Sequence, residues 1–481
     1  MNADWKLSDF KKTMSGTKIA VLGVGISNRP LIRYIHSLGA QITAFDSLEL
    51  SDPVLSNTIK EFEKEGISIK WSCGKNYLSD LPDGNYTYIF RTPKLRPDVP
   101  EILSAVRNGS ILTSEMEVFL ALCPARIFAV TGSDGKTTTT TLIYEILKKA
   151  GYNVHVGGNI GTPLLDKIEA IATSDMVVLE LSSFQLISMR SRIDVAVVTN
   201  VTPNHLDVHL NYEEYIESKK NIFLAQTFSG SLVLNWDNEI TRAMASEARG
   251  RIIYFSSESP VINDNHSFIL IDQAFIKNGV LCYSQKGHLK EIVKTEEILI
   301  PGYHNVMNFL AAISAVMPFV DSDHIAEVAR KFGGVEHRIE LVRTLHDVRY
   351  FNSSIDTSPT RTINSMHAMR DRKEHGILIA GGADKKCSYV GLGKSILEVC
   401  DRIILYGQNS DMIEKALSDE CEDIKYSVFR ANDYAEAVLL AKSLAQPGEI
   451  VILSPAGTSY DHFRHFEERG KLFKKLVSDL E

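Results

Sequence analysis

The segment Thr131-Gly-Ser-Asp-Gly-Lys136-Thr137 places two glycines, a lysine and a hydroxyl between a β-branched run, Arg126–Val130, and the start of a helical pattern. Glycines there let backbone N–H groups turn toward an anion, and a helix N-terminus adds positive potential. The segment therefore reads as a cradle for the phosphates of a nucleoside triphosphate. Gly132, Ser133, Asp134, Gly135 and Thr138 would line it, Lys136 would reach the β/γ-phosphates, and the Thr137 hydroxyl would help to hold Mg2+. The usual pattern has a glycine where Val130 stands, and a plain glycine-rich strand-to-helix turn is the alternative. Glu180 closes the run beginning at Met176, and Asn200-Val-Thr-Pro-Asn-His205-Leu-Asp207 follows the next apolar run. A carboxylate and an imidazole at neighbouring strand ends of a parallel sheet could share a divalent cation. Taken singly, Glu180 reads equally well as a helix-capping acid and His205 as a loop hydrogen-bonder. Near the N-terminus, Gly23-Val-Gly25-Ile-Ser-Asn28 resembles a dinucleotide fingerprint with Asp46 downstream, but Asn28 replaces the third glycine.

The elements that must position these residues are short apolar runs alternating with amphipathic helical stretches, the pattern of α/β units with parallel sheets. Strands are expected at 18–22, 41–45, 86–90, 126–130, 176–181 and 195–199, and farther along at 348–351, 376–380, 402–406 and 450–454. The helix after the phosphate loop should end before Gly151. Residues 229–300 read as hairpins and a covering β region, with turns at Asn235–Asn238 and Asn278-Gly279. Helices over 305–316 and 322–332 then lead to Gly333-Gly334, a natural hinge. The expected organisation is three α/β domains, 1–114, 115–334 and 335–481, which the length of 481 residues can accommodate. A net charge of −8 argues against nonspecific binding to nucleic acid or anionic membranes, and no stretch is long and apolar enough to span a bilayer. Six scattered cysteines, with neither a CxxC pair nor zinc spacing, and a charged N-terminus point to a reduced, cytoplasmic protein.

TGSDGKT, GGNIG (157–161), ELSSFQ (180–185), NVTPNHLD (200–207), GYHNVMN (302–308), EHRIE (336–340) and LSPAGTSYDHFRHFEERG (453–470) together resemble the Mur ligases across nearly the whole chain. The resemblance implies an N-terminal Rossmann-like domain that binds a UDP-linked substrate, a central P-loop ATPase-like domain and a C-terminal Rossmann-like domain for the incoming amino acid. It implies a monomer using ATP and Mg2+ to join D-glutamate to UDP-MurNAc-L-Ala through an acyl phosphate. Thr137, Glu180 and His205 would be metal ligands. Lys219, on the segment Tyr215-Ile-Glu-Ser-Lys219, would be carbamylated and bind a second Mg2+, with Lys220 as the competing position and a solvated helix lysine as the bland alternative. Lys136, His205 and Lys219 would carry the catalysis. Asn159, Ser182 and Gln185 would face the muramoyl group, and Asn305 and Asn308 the adenine. Arg338, beside His337 at the hinge, would reach the nucleotide. Lys385, in competition with Lys386, would hold the amino acid with Ser459, Tyr460 and Phe466. Ile26, Ser27, Asp46 and Ser47 become uridine or diphosphate candidates, and Lys94 meets either a phosphate or solvent.

Two departures from the family pattern stand out. Asn352-Ser353-Ser354 occupies the place of Asn-Asp-Ser, which leaves Asp356 as the nearby candidate for a ribose contact, and Asp134 stands where Asn is commoner. The rival readings are a sibling ligase with another acceptor, a folylpolyglutamate-type ligase, a nucleotide-dependent switch or binding module, and an NAD-dependent dehydrogenase. The ELSSFQ and SPAGTSYDHF strings speak against the first two. The third leaves the C-terminal acceptor residues unexplained.

Overall fold

The structure is a computed structural model and describes residues 6–203, 209–258, 272–300, 302–384, 388–420, 425–463 and 465–481. The chain divides into two compact units: Met1–Thr295 with Met307–Val328, and Glu296–Val306 with Ala329–Glu481.

The first unit contains two sheets. One is wholly parallel: β1 (Lys18–Leu22), β2 (Gln41–Asp46), β3 (Lys70–Cys73), β4 (Tyr88–Arg91) and β5 (Ile111–Thr113), in the order β3-β2-β1-β4-β5. The other comprises β6 (Arg126–Thr131), β7 (Val154–Gly158), β8 (Met176–Glu180), β9 (Val195–Val198), β10 (Ser231–Asn235), β11 (Arg251–Ser256), β12 (Asp272–Lys277), β13 (Val280–Gln285) and β14 (His288–Lys294). Its order is β14-β13-β12-β11-β10-β9-β6-β8-β7, parallel from β7 as far as β12 and antiparallel beyond. Strands β8 and β9 are buried from end to end, as strands covered on both faces are. Because β6, β8 and β9 run parallel, the phosphate loop, Glu180 and Thr199 emerge at one edge, the ligand edge of such sheets. One apolar cluster runs from Phe10, Ile19 and Val21 through Phe119 to Leu179, Leu186 and Val198, so the two sheets share a core.

Residues 229–300 do not form the separate covering region that their composition suggests. β10 and β11 extend the second sheet in parallel, and only β12–β14 are hairpin-connected. Asn235–Asn238 is accordingly a strand-to-helix turn: the Asn238 side chain accepts from Thr241 N at 3.0 Å and caps the helix Glu239–Ala243. Asn278-Gly279 is the expected two-residue hairpin, with φ of 51° and 76°.

The second unit holds β15 (Glu340–Leu345), β16 (Val348–Asn352), β17 (Gly376–Ala380), β18 (Cys400–Leu405), β19 (Ser427–Arg430) and β20 (Ile450–Leu453), ordered β15-β16-β20-β17-β18-β19. All pair in parallel except the β15–β16 hairpin. Apolar clusters lie on its two faces, one around Met366, Leu378 and Ile403, the other around Ile379, Val438 and Phe473. Cys73, Cys123, Cys282 and Cys400 are free thiols, and no helix among the described residues is long and apolar enough to cross a membrane.

Candidate active site

The phosphate loop follows β6 and opens the helix Lys136–Lys149, whose N-cap is Gly135 in the left-handed conformation. A Cβ at Gly135, with φ at 76°, would lie 2.3 Å from Asn308 Oδ1, and one at Gly132, with φ at 151°, would lie 1.9 Å from Thr199 Oγ1. Both glycines are therefore required by backbone conformation and by close approach. The segment after β9 clamps the loop. Ser133 N donates to Asn200 O at 2.9 Å and Asp134 N to Asn200 Oδ1 at 2.9 Å, while Thr199 Oγ1 donates to Asp134 O at 2.6 Å. Lys136 Nζ lies across the loop, 3.0 Å from Gly132 O and 2.9 Å from Ser133 O. Phosphate oxygens are stronger acceptors than these carbonyls, so this lysine suits an incoming anion. Thr137 and Thr138 are half-buried on the first turn of the helix.

Lys219, on the helix Tyr212–Lys220, is 1 % exposed, and its Nζ donates to Gly132 O at 2.8 Å from above the Tyr215 ring. Burial, reinforced by the Lys136 charge, holds its pKa well below the ordinary lysine value against the pull of Asp134. Lys220 instead pairs with Glu217 and Glu247 at 2.6 and 2.7 Å. The structure thus separates the two lysines: one is buried against the phosphate loop, the other is engaged at the surface. Glu180 is also 1 % exposed. Its Oε1 accepts from Asn159 Nδ2 at 2.8 Å, while its Oε2 is buried and has no hydrogen-bond partner among the described residues. An orphaned carboxylate oxygen at this edge fits a divalent cation, with Thr137 on the neighbouring helix turn as the hydroxyl donor. Lys219 as an ammonium would repel such an ion and fits it only if its nitrogen carries a carboxylate. His205 lies outside the described residues.

The ELSS segment is held by partners that motif reading passed over. Ser182 and Gln185 form a capping box at the helix Ser183–Leu186: Ser182 N donates to Gln185 Oε1 at 2.9 Å and Gln185 N to Ser182 Oγ at 3.3 Å. His209 is buried between the Phe184 and Tyr215 rings, with Nε2 2.9 Å from Ser183 Oγ and Nδ1 3.4 Å from Glu214 Oε2. Burial keeps this imidazole below its usual pKa although Glu214 pulls the other way. Arg91, at the end of β4 and 1 % exposed, donates to Phe184 O at 3.0 Å and Ser188 Oγ at 2.9 Å, so the first sheet grips the ELSSF turn of the second. Arg96 pairs with Glu214 across the same division at 2.8 Å. At the first sheet's glycine turn, both Asp46 oxygens are taken by backbone: Oδ2 accepts from Val24 N at 2.8 Å and Oδ1 from Leu48 N at 3.0 Å. Ile26 and Ser47 are exposed beside it, and Ser27 starts the helix Asn28–Ser37.

In the second unit, the expected substitute acid is not at the surface. Asp356 is buried, and its Oδ2 accepts from Ser365 Oγ and Ser454 Oγ, each at 2.7 Å, while burial raises its pKa. A carboxyl committed to three inward hydroxyls, Ser353 among them, is a core polar group and is turned away from the ribose contact expected of it. Asn352 Nδ2 meets His337 Nδ1 at 2.9 Å, and Arg338 is exposed. Ser459 is buried after β20, Tyr460 is 72 % exposed, and the Phe466 ring lies edge-on to His337. Asn305 and Asn308 are both buried on the helix Tyr303–Val316. Lys385 and Lys386 lie outside the described residues.

Residues 130–316 match the Mur ligase middle domain, and 337–457 match the Mur ligase glutamate ligase domain. The chain is 51% identical over 482 residues to UDP-N-acetylmuramoylalanine–D-glutamate ligase of Acetivibrio thermocellus, covering 99% of each chain. It is 44% identical to the ligase of the same name from Clostridium tetani, covering 100% of both. Among solved structures, UDP-N-acetylmuramate-alanine ligase of Thermotoga maritima superposes with a TM-score of 0.52 at 17% identity, over 96% of this chain and 99% of that one. A UDP-N-acetylmuramoyl-L-alanyl-D-glutamate–2,6-diaminopimelate ligase gives 0.53 at 17% identity, over 98% and 94%. With a buried lysine, an orphaned carboxylate oxygen and a clamped phosphate loop at one sheet edge, and with full-length relatives at this identity, the chain belongs to the Mur ligase family.

Proposed function

We propose that the chain catalyses ATP-driven amide formation, joining D-glutamate to UDP-N-acetylmuramoyl-L-alanine in peptidoglycan precursor synthesis. The full-length identity to relatives named for that reaction carries the reading, and the phosphate-loop geometry supports it. A carboxylate oxygen of the L-alanyl group attacks the γ-phosphorus of ATP, the β–γ bridging P–O bond breaks, and ADP leaves. The D-glutamate nitrogen attacks the resulting acyl phosphate carbon. The tetrahedral intermediate then expels phosphate as its C–O bond breaks, and the nitrogen, which attacked as the neutral amine, gives one proton to solvent and keeps the other as the amide N–H.

Lys136 and the N–H groups of residues 132–138 bind and orient the triphosphate. Glu180, Thr137, His205 and carbamylated Lys219 would hold Mg2+, which when bound offsets the repulsion between a carboxylate nucleophile and the phosphates. Burial and Lys136 favour the neutral Lys219 amine, whose nitrogen attacks the carbon of CO2 and releases one proton to water, leaving an anionic carbamate. On this reading the first sheet is the Rossmann-like UDP site, with Ile26, Ser27, Asp46 and Ser47 near it. The second is the P-loop ATPase-like centre, with Asn159, Ser182 and Gln185 toward the muramoyl group and Asn305, Asn308 and Arg338 toward the nucleotide. The third is the Rossmann-like acceptor sheet, with Lys385, Ser459, Tyr460 and Phe466. A cytoplasmic monomer completes the proposal.

The test is phosphate release from ATP and UDP-N-acetylmuramoyl-L-alanine across a panel of amino acids. Release with D-glutamate alone is expected. Release with a different amino acid only, or none at all, would overturn the reading. Lys136→Ala should lower the D-glutamate-dependent rate by roughly 100- to 1,000-fold, the usual cost of removing one well-placed charge-stabilising donor.

A further inference from the structure

Arg469 is among the largest fully buried side chains of the chain, and its partners include two carbonyls and the hydroxyls of Ser354 and Tyr406. Nε donates to Ser354 Oγ at 3.0 Å, Nη2 to Ser354 O at 2.8 Å and Nη1 to Gly457 O at 3.1 Å. Among the described residues it makes no ion pair. One planar fork thus ties the segment leaving β16 to the segment leaving β20, and Ser354 Oγ passes the connection on to Phe466 O at 2.7 Å. The β20 segment is tied in turn to the one leaving β17: Ala383 and Thr458 exchange backbone bonds of 2.9 and 3.0 Å, and Asn409 bridges Gly382 N and Ala456 O. Between these ties Ala456 sits at a φ of 55°, a conformation an alanine keeps only when its surroundings enforce it. Two strand ends at the carboxyl edge of the third sheet thus share one buried cation as their fastening, and the third is joined to them through backbone bonds and Asn409.

A buried guanidinium without a carboxylate is costly, and a hydrophobic residue of similar volume could fill the space. A guanidinium is suited to this place where its ties hold a binding surface in register, with the Asp461 carboxylate close enough to act on the same Tyr406 and Tyr434 hydroxyls. We propose that Arg469 is a positioning residue for the amino-acid acceptor: it fixes the loops that present Ser459, Tyr460 and Phe466. The inference rests on the reading that the second unit receives D-glutamate.

The experiment compares the full-length wild type with Arg469→Lys, Arg469→Met and Ser354→Ala, measuring kcat and a separate KM for D-glutamate, ATP and the UDP precursor, with thermal unfolding as the check on folding. Arg469→Lys keeps the charge but loses the fork, so the D-glutamate KM should rise by about tenfold or more, as misplacement of binding groups by fractions of an ångström does. Arg469→Met should raise it further, and the ATP and precursor KM values should stay put. Ser354→Ala removes the acceptor of Arg469 Nε and the donor to Phe466 O but leaves the two carbonyl ties, so it should move the same constant in the same direction by less, which keeps the proposal testable where the arginine variants do not fold. An unchanged D-glutamate KM in a folded variant, or three KM values rising together, would overturn the assignment while leaving the proposed reaction intact. A wild type that forms no product with D-glutamate would overturn the reaction itself, and this assignment with it.

Discussion

Lys219 shows how much chemistry a single burial decides. An exposed lysine at neutral pH is an ammonium, inert toward CO2, whereas this one is enclosed beside Lys136 with its protonated form disfavoured. Incubation with 13C-bicarbonate should therefore give a carbamate carbon resonance in the wild type that is absent from Lys219→Arg, whose guanidinium cannot form one. Gly135→Ala tests the loop by a different route. The added methyl meets Asn308 at a positive φ, so stability should fall by about 1–3 kcal/mol and the ATP KM should rise. A variant with wild-type melting temperature and ATP KM would show that the loop relaxes without loss. Type and spacing alone place Lys136 in its glycine frame and Glu180 at a strand end, and the structure has both at those positions. Asp356 departs from its expectation because sequence adjacency does not reveal which way a side chain turns, and here it turns into a nest of hydroxyls. His209 and Arg469 lay inside or beside quoted motifs, but their work is done through partners distant in sequence: Ser183 for one, Ser354 for the other.

Among the elements, the helix Glu115–Leu122 and strand β4 carry the junction between the first two sheets, and both bury charge there. Burial pushes the Glu115 carboxyl up to about 7, although the Leu165 N–H donates to it at 3.1 Å. Burial likewise pushes Glu117 to about 7 against the pull of Arg91. A carboxyl with its folded-state pKa raised favours the folded state fully below about 4.5, and that contribution is lost as pH rises through about 7. Melting temperature should accordingly decline across that window, by the equivalent of up to about 3 kcal/mol per group. Glu115→Gln should flatten the decline and match or exceed the wild type at pH 8; a pH profile identical to the wild type would contradict this. Arg91→Met should cost roughly 2–4 kcal/mol, because Phe184 O and Ser188 Oγ lose their donor in a buried place. Denaturant unfolding would measure it. Element types followed periodicity wherever strands were long and apolar, as in β1, β6, β8 and β17. Four-residue strands such as β3 and β19, with partly exposed faces, gave no such signal. The Asn278-Gly279 hairpin was legible from its turn chemistry. The Lys286-Gly287 turn, with φ of 49° and 81°, was not, because lysine is an unusual first residue for it.

At the scale of the whole molecule, a chain of net charge −8 is proposed to handle three anionic ligands, so positive potential must be concentrated locally, at Lys136 and at helix N-termini. The expected boundary at residue 334 lies a few residues inside the second unit, which also claims Glu296–Val306, while Met307–Val328 belongs to the first. In the second unit, Leu299 N bonds Ala329 O at 3.0 Å and Glu297 pairs with Arg330 at 2.9 Å. A polypeptide ending at residue 334 keeps these two pairings but lacks the rest of that unit, and should show added protease cleavage within 296–306 relative to the full chain. Equal protection in both would argue against the assignment of that segment. The same interleaving bears on how the protein is made. Synthesis runs from the N-terminus, so the first unit lacks its last helices until residue 328 has left the ribosome, and residues 296–306 are synthesised before nearly all of the unit they join. The apolar side chains Ile298 and Ile300 in that segment must therefore wait in water, or under a chaperone, while about 150 further residues are added, a delay of roughly eight to thirty seconds at about 5–20 residues per second.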